Sequence, residues 1–331
     1  MAKYLLVDTA NTFFRSRHVV RGDLDSKLGM SLHITLSAIA KAHKDFSIDH
    51  VVICLEGRSW RKDVADSYKR NRQEARDALT TTQLEEDALF WQTYDELTGY
   101  LRDKTNCTVI REATLEADDL IAGWIQHHPN DEHVILSTDG DFKQLIAHNV
   151  SIYNGVNNHT IRHDGYFDDK GREVIDKKTG QPKPAPDPGW LLFEKCMRGD
   201  ASDNVFSAYP GVRTKGSKNK VGLLEAYADK DKKGFSWNNL MLQRWTDHNG
   251  EEHRVIDCYN RNQLLCDLTA QPAEVRDRIA TTVQGVAQKS VPQIGTHFMR
   301  FCSKHSLDNL SNRAEQIAPV FHSKLPYTNE T

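Results

Sequence analysis

A parallel α/β sheet covered by helices on both faces, followed by a helical second part, is the fold class this sequence predicts, and three observations predict it. Five short apolar runs end in polar residues: Tyr4–Val7, Val51–Leu55, Thr108–Ile110, Val134–Leu136 and Val150–Tyr153. Segments with helical spacing lie between them. Beyond a proline-rich stretch the strand alternation does not return.

The runs are short, β-branched and continuously apolar, as strands buried on both faces must be. The intervening spacing is helical at Leu32, Leu36, Ile39 and Ala40, at Leu89, Tyr94, Leu97 and Leu101, and at Leu120, Ile121, Trp124 and Ile125. Strands alternating with helices build a parallel sheet. The segment 164–189 holds four of the ten prolines and reads as an exposed hairpin followed by an extended linker. After it, Trp190–Met197, Val221–Tyr227 and Ala273–Val283 favour helices.

With 331 residues the chain is long enough for two domains. Its 38% hydrophobic and 27% charged residues exclude a disordered chain. No apolar run approaches the ~20 residues of a membrane span, and Asp8 interrupts the stretch where a signal peptide needs apolar continuity. The expected location is the cytoplasm, that of a host cell if a phage encodes the protein, and the expected state is a monomer. Six cysteines without a C-x-x-C pair read as reduced core residues. His159 with His163 has no partner cluster, so zinc is not expected.

In a parallel sheet, ligands bind beyond the carboxyl ends of the strands. The residues standing there are Asp8, Glu56, Glu116 with Asp118 and Asp119, and Asp139 with Asp141; Asp200 and Asp203 follow the linker. Each cluster alone could be a turn or a helix cap. Together, like charges a few Å apart repel by several kcal/mol, and divalent cations offset that repulsion. Carboxylates with almost no histidine or cysteine suit Mg²⁺, with Mn²⁺ able to substitute. Two such ions ~4 Å apart serve an in-line phosphoryl displacement.

The net charge of −3 conceals local patches. Arg58, Arg61, Lys62, Lys69, Arg70, Arg72 and Arg76 fall within nineteen residues that also hold Trp60 and Tyr68 and only three acids. That pattern suits cations on phosphates and rings on bases. Arg213, Lys215, Lys218 and Lys220 form a second acid-free stretch leading into an apolar helix, where backbone amides are natural phosphate ligands. An acidic pocket with basic flanks describes an enzyme that cuts a polyanion.

The motifs VDTANT, VICLEGRSWRKD with YKRNR, LEADDLIA, STDGDF and RGDASDN, in this order over residues 3–227, resemble the flap endonuclease and 5′-nuclease superfamily, most closely its bacteriophage ribonuclease H branch. The resemblance implies a PIN-like (resolvase-like) catalytic domain at 1–189. It places a helical arch at about 57–92, a hairpin and linker at about 160–189, and a helical domain at 190–331 with a helix-three-turn-helix-like element. It assigns Asp8, Glu116, Asp118 and Asp139 to a first metal, and Asp119, Asp141, Asp200 and Asp203 to a second or its water shell. Lys69 and Arg72 match residues gripping the scissile phosphate, and Arg61 a nearby contact. Glu56 stands where the family usually has Asp. PGVRTKGSKNKVG is longer and more basic than the family's potassium-binding hairpin, so a potassium ion is not carried over with the rest.

The implied activity is a Mg²⁺-dependent 5′-3′ exonuclease, flap endonuclease and ribonuclease H acting on lagging-strand intermediates by a two-metal mechanism. Its partners would be DNA and RNA–DNA hybrids with a free 5′ end or flap, and a single-strand-binding protein or sliding clamp. Two rivals remain: a Mg²⁺ phosphatase using Asp8 as nucleophile, and a non-catalytic DNA-binding replication protein.

Overall fold

The computed structural model describes residues 1–218, 220–287 and 290–325. In chain order the α-helices of the described residues are α1 (Thr9–Phe14), α2 (Ser16–Val19), α3 (Leu24–Asp45), α4 (Arg61–Val64), α5 (Arg70–Asp77), α6 (Thr81–Lys104), α7 (Ala117–His127), α8 (Pro188–Arg198), α9 (Leu223–Ala228), α10 (Phe235–Met241), α11 (Val255–Cys266), α12 (Ala273–Gln284), α13 (Ile294–Lys304), α14 (Asp308–Ser311) and α15 (Ala314–Ile317). The strands are β1 (Lys3–Asp8), β2 (His50–Cys54), β3 (Thr108–Ile110), β4 (Glu132–Leu136), β5 (Val150–Asn154), β6 (His159–Arg162), β7 (Gly165–Phe167), β8 (Arg244–Thr246) and β9 (Glu252–Arg254).

The chain divides into two units. The first comprises Met1–Ser59, Leu79–Pro186 and the chain from Ala273 onward; the second comprises Trp60–Ala78 and Asp187–Pro272. This differs from the expected division at 189/190 in two ways. The part from Ala273 returns to the first unit, and the middle of the expected arch belongs to the second.

In the first unit a seven-stranded sheet runs in the order β3-β2-β1-β4-β5-β6-β7. The first five strands are parallel, and they are the five predicted apolar runs. β6 and β7 add an antiparallel hairpin at one edge. The pairing of the hairpin starts at His159; only Ile161 of β6 is buried, so no apolar run announces the strand.

α3, α6 and α7 make the crossovers, each with one apolar face on the sheet. The core joins Leu5, Val7, Leu36, Ile39, Ile53 and Leu97 to Phe298, Cys302, Ile317 and Phe321 near the chain's end. Ile294, Phe298, Phe301 and Cys302 form the buried stripe of α13, at the i, i+4, i+7, i+8 spacing of a helix that needs a partner. That stripe explains why the last part rejoins the sheet. Close approach explains how α12 docks: a Cβ at Gly123 of α7 would lie 2.1 Å from Ile279 Cγ2.

The second unit is helical, with one small antiparallel pair, β8–β9, that the sequence reading missed. Its core holds Phe193, Met197, Leu223, Ala226, Trp237, Leu240 and Val255. A smaller cluster packs Tyr68 against Cys196, Val205, Leu265 and Cys266. Tyr68 is therefore the ring by which Trp60–Ala78 packs into that cluster. All six cysteines are free and buried, as expected.

Candidate functional site

Strand β1 ends on Asp8, paired in register with Cys54 at the end of β2. Asp8 is 4% exposed. Its Oδ1 accepts from the Asn11 N–H at 3.2 Å and caps α1, while its Oδ2 accepts from Ser137 Oγ at 2.8 Å. Ser137 follows β4, the strand beside β1, and its Oγ also accepts from the Asp139 N–H at 3.0 Å. The Asp139 carboxylate in turn accepts from the Asp141 N–H at 2.9 Å. Asn11 Oδ1 takes the N–H and hydroxyl of Thr138 at 3.1 and 2.9 Å. Asp8, Asp139 and Asp141 are thus tied into one network across two neighbouring strands.

The other half of the rim follows β2 and β3. Gly57 N–H donates to Leu115 O at 2.8 Å, and a Cβ at 57 would meet Glu112 O at 2.1 Å. Only glycine lets the chain pass there. This approach brings Glu56 Oε2 within 3.1 Å of the Ala117 N–H, at the start of α7. Glu116, the N-cap of α7, accepts from Ser59 Oγ at 2.7 Å, and its own N–H donates to Asp119 Oδ2 at 3.2 Å. Asp119 is fully buried, and Asp118 is half-buried on the first turn. The Glu116 and Asp119 placements are helix caps as well as rim acids.

Electrostatics show the same convergence. Burial pushes the Cys54 thiol well up, and the fields of Asp8, Asp118 and Glu56 push it further. Burial likewise raises Tyr94, again with Glu56 and Asp8 adding to it. The Tyr94 hydroxyl is buried with no hydrogen-bond partner among the described residues. Asp8 of β1, Glu56 just beyond β2 and Asp118 of α7 thus act on the same locality at the carboxyl end of the sheet. The donor set is oxygen only, the chemistry of a hard divalent cation.

Sequence reasoning missed Asn11, Ser59, Tyr94 and Ser137. Three of these lie inside or beside the motifs already singled out, DTANT, GRSW and STDGDF; only an acid within reach would have marked them as its donors. Tyr94 reads as an ordinary apolar position of α6.

In the second unit the predicted residues are placed differently. Arg61 is 1% exposed, its Nε donates to Leu265 O at 2.9 Å, and its guanidinium lies 4.7 Å from the Trp60 ring. The expected phosphate contact is a structural arginine, because a buried guanidinium must find acceptors inside the protein. Trp60 and Tyr68, read as base-stacking rings, are buried too. Lys62 is partly exposed, and Arg58, Arg70, Arg72 and Arg76 are exposed.

Asp200 pairs with Lys195 Nζ at 2.6 Å, and Asp203 with Arg72 Nη2 at 2.6 Å. Burial pushes the Asp200 carboxyl up, but Lys195 and Ser202 outweigh it and hold it at about 2. In the basic loop, Arg213, Lys215, Lys218 and Lys220 are exposed. The Gly216 and Gly222 N–H groups, however, already donate to the Glu225 carboxylate at 2.9–3.1 Å. The expectation that these backbone amides await phosphate is corrected; the side chains remain.

Residues 3–171 match the family described as the 5′-3′ exonuclease, N-terminal resolvase-like domain. That is just over half of the chain. It belongs to the 5′-3′ exonuclease family. The rim acids Asp8, Glu56, Glu116, Asp118, Asp119, Asp139 and Asp141 all lie inside the matched 5′-3′ exonuclease domain.

Similar proteins include DNA polymerase I of Rhizobium leguminosarum, 28% identical over 55% of this chain and 15% of that protein. Flap endonuclease Xni of Shewanella loihica is 25% identical over 69% of this chain and 77% of its own. Ribonuclease H of Enterobacteria phage T4 is 28% identical over 61% and 64%. Among solved structures, the T5 5′-exonuclease with bound divalent metal ions (zinc) aligns with a TM-score of 0.59 at 18% identity, covering 86% of this chain and 99% of that one. At that identity the likeness is one of fold, and the resemblance read from the motifs is borne out. No helix of the described residues is long and apolar enough to cross a membrane.

Proposed function

We propose that this chain is a divalent-metal-dependent 5′-3′ nuclease. It would hydrolyse phosphodiesters at free 5′ ends or flaps, in DNA and RNA–DNA hybrids, to remove primers and flaps during lagging-strand replication. Mg²⁺ is the proposed ion, two per site, with Mn²⁺ able to substitute. The observation that carries the reading is the hydrogen-bonded rim beyond the strands, where Ser137 joins Asp8 to Asp139 and Glu56 reaches the start of α7 beside Glu116, Asp118 and Asp119.

Asp8, Glu116, Asp118 and Asp139 would hold the ions, with Glu56, Asp119 and Asp141 beside them. Such ions, when bound, polarise the phosphodiester and activate the attacking water. The chain's own residues do the rest. Ser137 and the Asn11 N–H aim Asp8; the Ala117 N–H aims Glu56; Ser59 aims Glu116. Motif matching also assigns Asp200 and Asp203 to ions. Each is salt-bridged within its own unit, so recruiting either would cost an ion pair. Exposed Arg58, Arg72, Arg213, Lys215, Lys218 and Lys220, with the partly exposed Lys62, would supply phosphate contacts that steer the substrate.

The phosphatase alternative needs Asp8 as a nucleophile open to attack. Asp8 is almost fully buried and hydrogen-bonded on both oxygens, which favours a ligand over a nucleophile. End-labelled flap, nicked and RNA-primed duplexes incubated with and without Mg²⁺ test the nuclease reading. Short 5′ products that require Mg²⁺ support it. Binding without cleavage would leave the non-catalytic alternative, and a trapped phospho-enzyme would support the phosphatase.

A further inference from the structure

Two cations flank the acid rim of the first unit. Arg111 is the first residue beyond β3, and Lys143 lies in the short helical turn Asp141–Leu145 that follows β4. Arg111 is exposed, and its Nε donates to the Glu56 carbonyl oxygen at 3.2 Å, which draws the side chain back over the end of β2. Burial, Glu56 and Asp8 push the Tyr94 phenol up, and Arg111 opposes them, so its charge acts on the same locality as theirs. Lys143 is half-buried. Its N–H donates to Gly140 O at 3.2 Å, and its Nζ would lie 3.9 Å from a Cβ at Gly140, the residue between Asp139 and Asp141.

Both stand near acids, yet among the described residues neither Arg111 nor Lys143 is in an ion pair. Lys69, Arg72 and Lys195, by contrast, are paired with Asp203 and Asp200. The bond to Glu56 O anchors Arg111 through Nε and leaves both Nη groups, the fork that takes two oxygens of one phosphate.

Spacing decides what two such cations can hold. In the sheet order β3-β2-β1-β4 the ends of β2 and β4 are two strand spacings apart, ~10 Å, with Asp8 of β1 between them. One phosphate cannot span that gap. We infer that Arg111 and Lys143 hold the two backbone phosphates on either side of the one that is cut, one cation to each. This inference rests on the nuclease reading. The substrate strand then crosses the rim along the row β2-β1-β4, and the two cations fix which linkage lies over Asp8. They position the substrate; the acids and their ions do the chemistry.

The test uses an end-labelled 5′ flap duplex carrying a single neutral methylphosphonate linkage, one position 5′ or one position 3′ of the cut, cleaved by the full chain with Mg²⁺. Each modification removes one flanking charge and leaves the cut phosphate whole. In the parent each should lower kcat/KM about tenfold, and Arg111→Gln and Lys143→Gln should each do the same on the all-phosphate flap. The combinations decide. Arg111→Gln should lose less than about twofold more on one of the modified flaps and about tenfold more on the other, and Lys143→Gln should show the opposite preference, because a contact can be removed only once. Arg111→Lys, which keeps the charge without the fork, should recover part of the loss.

Parent cleavage indifferent to both methylphosphonates, losses that multiply in every pairing, or both variants coupled to the same linkage would each overturn the assignment. The first of these is read on the parent alone, so it reports even if a variant fails to fold. A parent that cuts the all-phosphate flap and gives any of these results defeats this inference alone. A parent that does not cut it with Mg²⁺ defeats the nuclease reading.

Discussion

Carboxylates are held in two different ways in the two units. On the sheet of the first unit, Asp8, Glu56, Glu116 and Asp139 accept from hydroxyls and backbone amides, those of Ser137, Asn11, Ala117, Ser59 and Asp141. In the helical unit, Asp200 and Asp203 accept from Lys195 and Arg72. A neutral donor fixes where a carboxylate points and leaves its charge in being; a cation fixes the direction and offsets the charge as well. On the proposed reading, the first arrangement is the one whose charge serves to collect cations.

The largest expected effect comes from deleting one rim charge. Asp118→Ala should lower kcat on a labelled flap by about a thousandfold or more while leaving duplex binding in EDTA nearly intact. Equal losses in both would make Asp118 part of the substrate grip and blur the contrast between the units. Ser137→Ala removes only a neutral donor, yet Asp8 and Asp139 both depend on it. Apparent Mn²⁺ affinity, read from the cation-induced rise in Tm, should fall about ten- to a hundredfold.

Gly123→Ala probes the packing of α12 and not the charges. The added methyl meets Ile279, so thermal stability should drop by about 1–2 kcal/mol. No loss would place α12 elsewhere than on α7.

The smallest effect is one of pH. Asp200 is held at about 2, below its unfolded value near 4. Its pairing therefore contributes stability that is fully present above pH ~4 and disappears as pH falls toward 2. Lys195→Gln should remove that part of the acid-unfolding profile of the helical unit. An unchanged profile would mean that Lys195 does not set the Asp200 carboxyl.

The sheet and its rim were legible because a doubly covered parallel strand must be an unbroken apolar run, so the acid that ends it stands out, as at Asp8 and Glu56. β6 and β8–β9 were not legible: their buried residues are too few to form a pattern. Arg61 misled for a related reason. A single arginine carries no local sign of burial, and its acceptor, Leu265 O, is distant in sequence. The stripe on α13 was visible as an amphipathic helix, but periodicity says only that a partner exists. Asp203 shows the same limit from the other side, for its acidity was plain and its cationic partners in Trp60–Ala78 were not.

The central claim is that Asp8, Glu56, Asp118 and their neighbours gather divalent ions. Calorimetric titration of Mn²⁺ into the parent protein and into an Asp8→Asn/Asp118→Asn variant tests it most directly, with circular dichroism confirming that both are folded. The account predicts uptake of two ions by the parent and loss of that uptake in the variant. Identical uptake curves for the two proteins would contradict it.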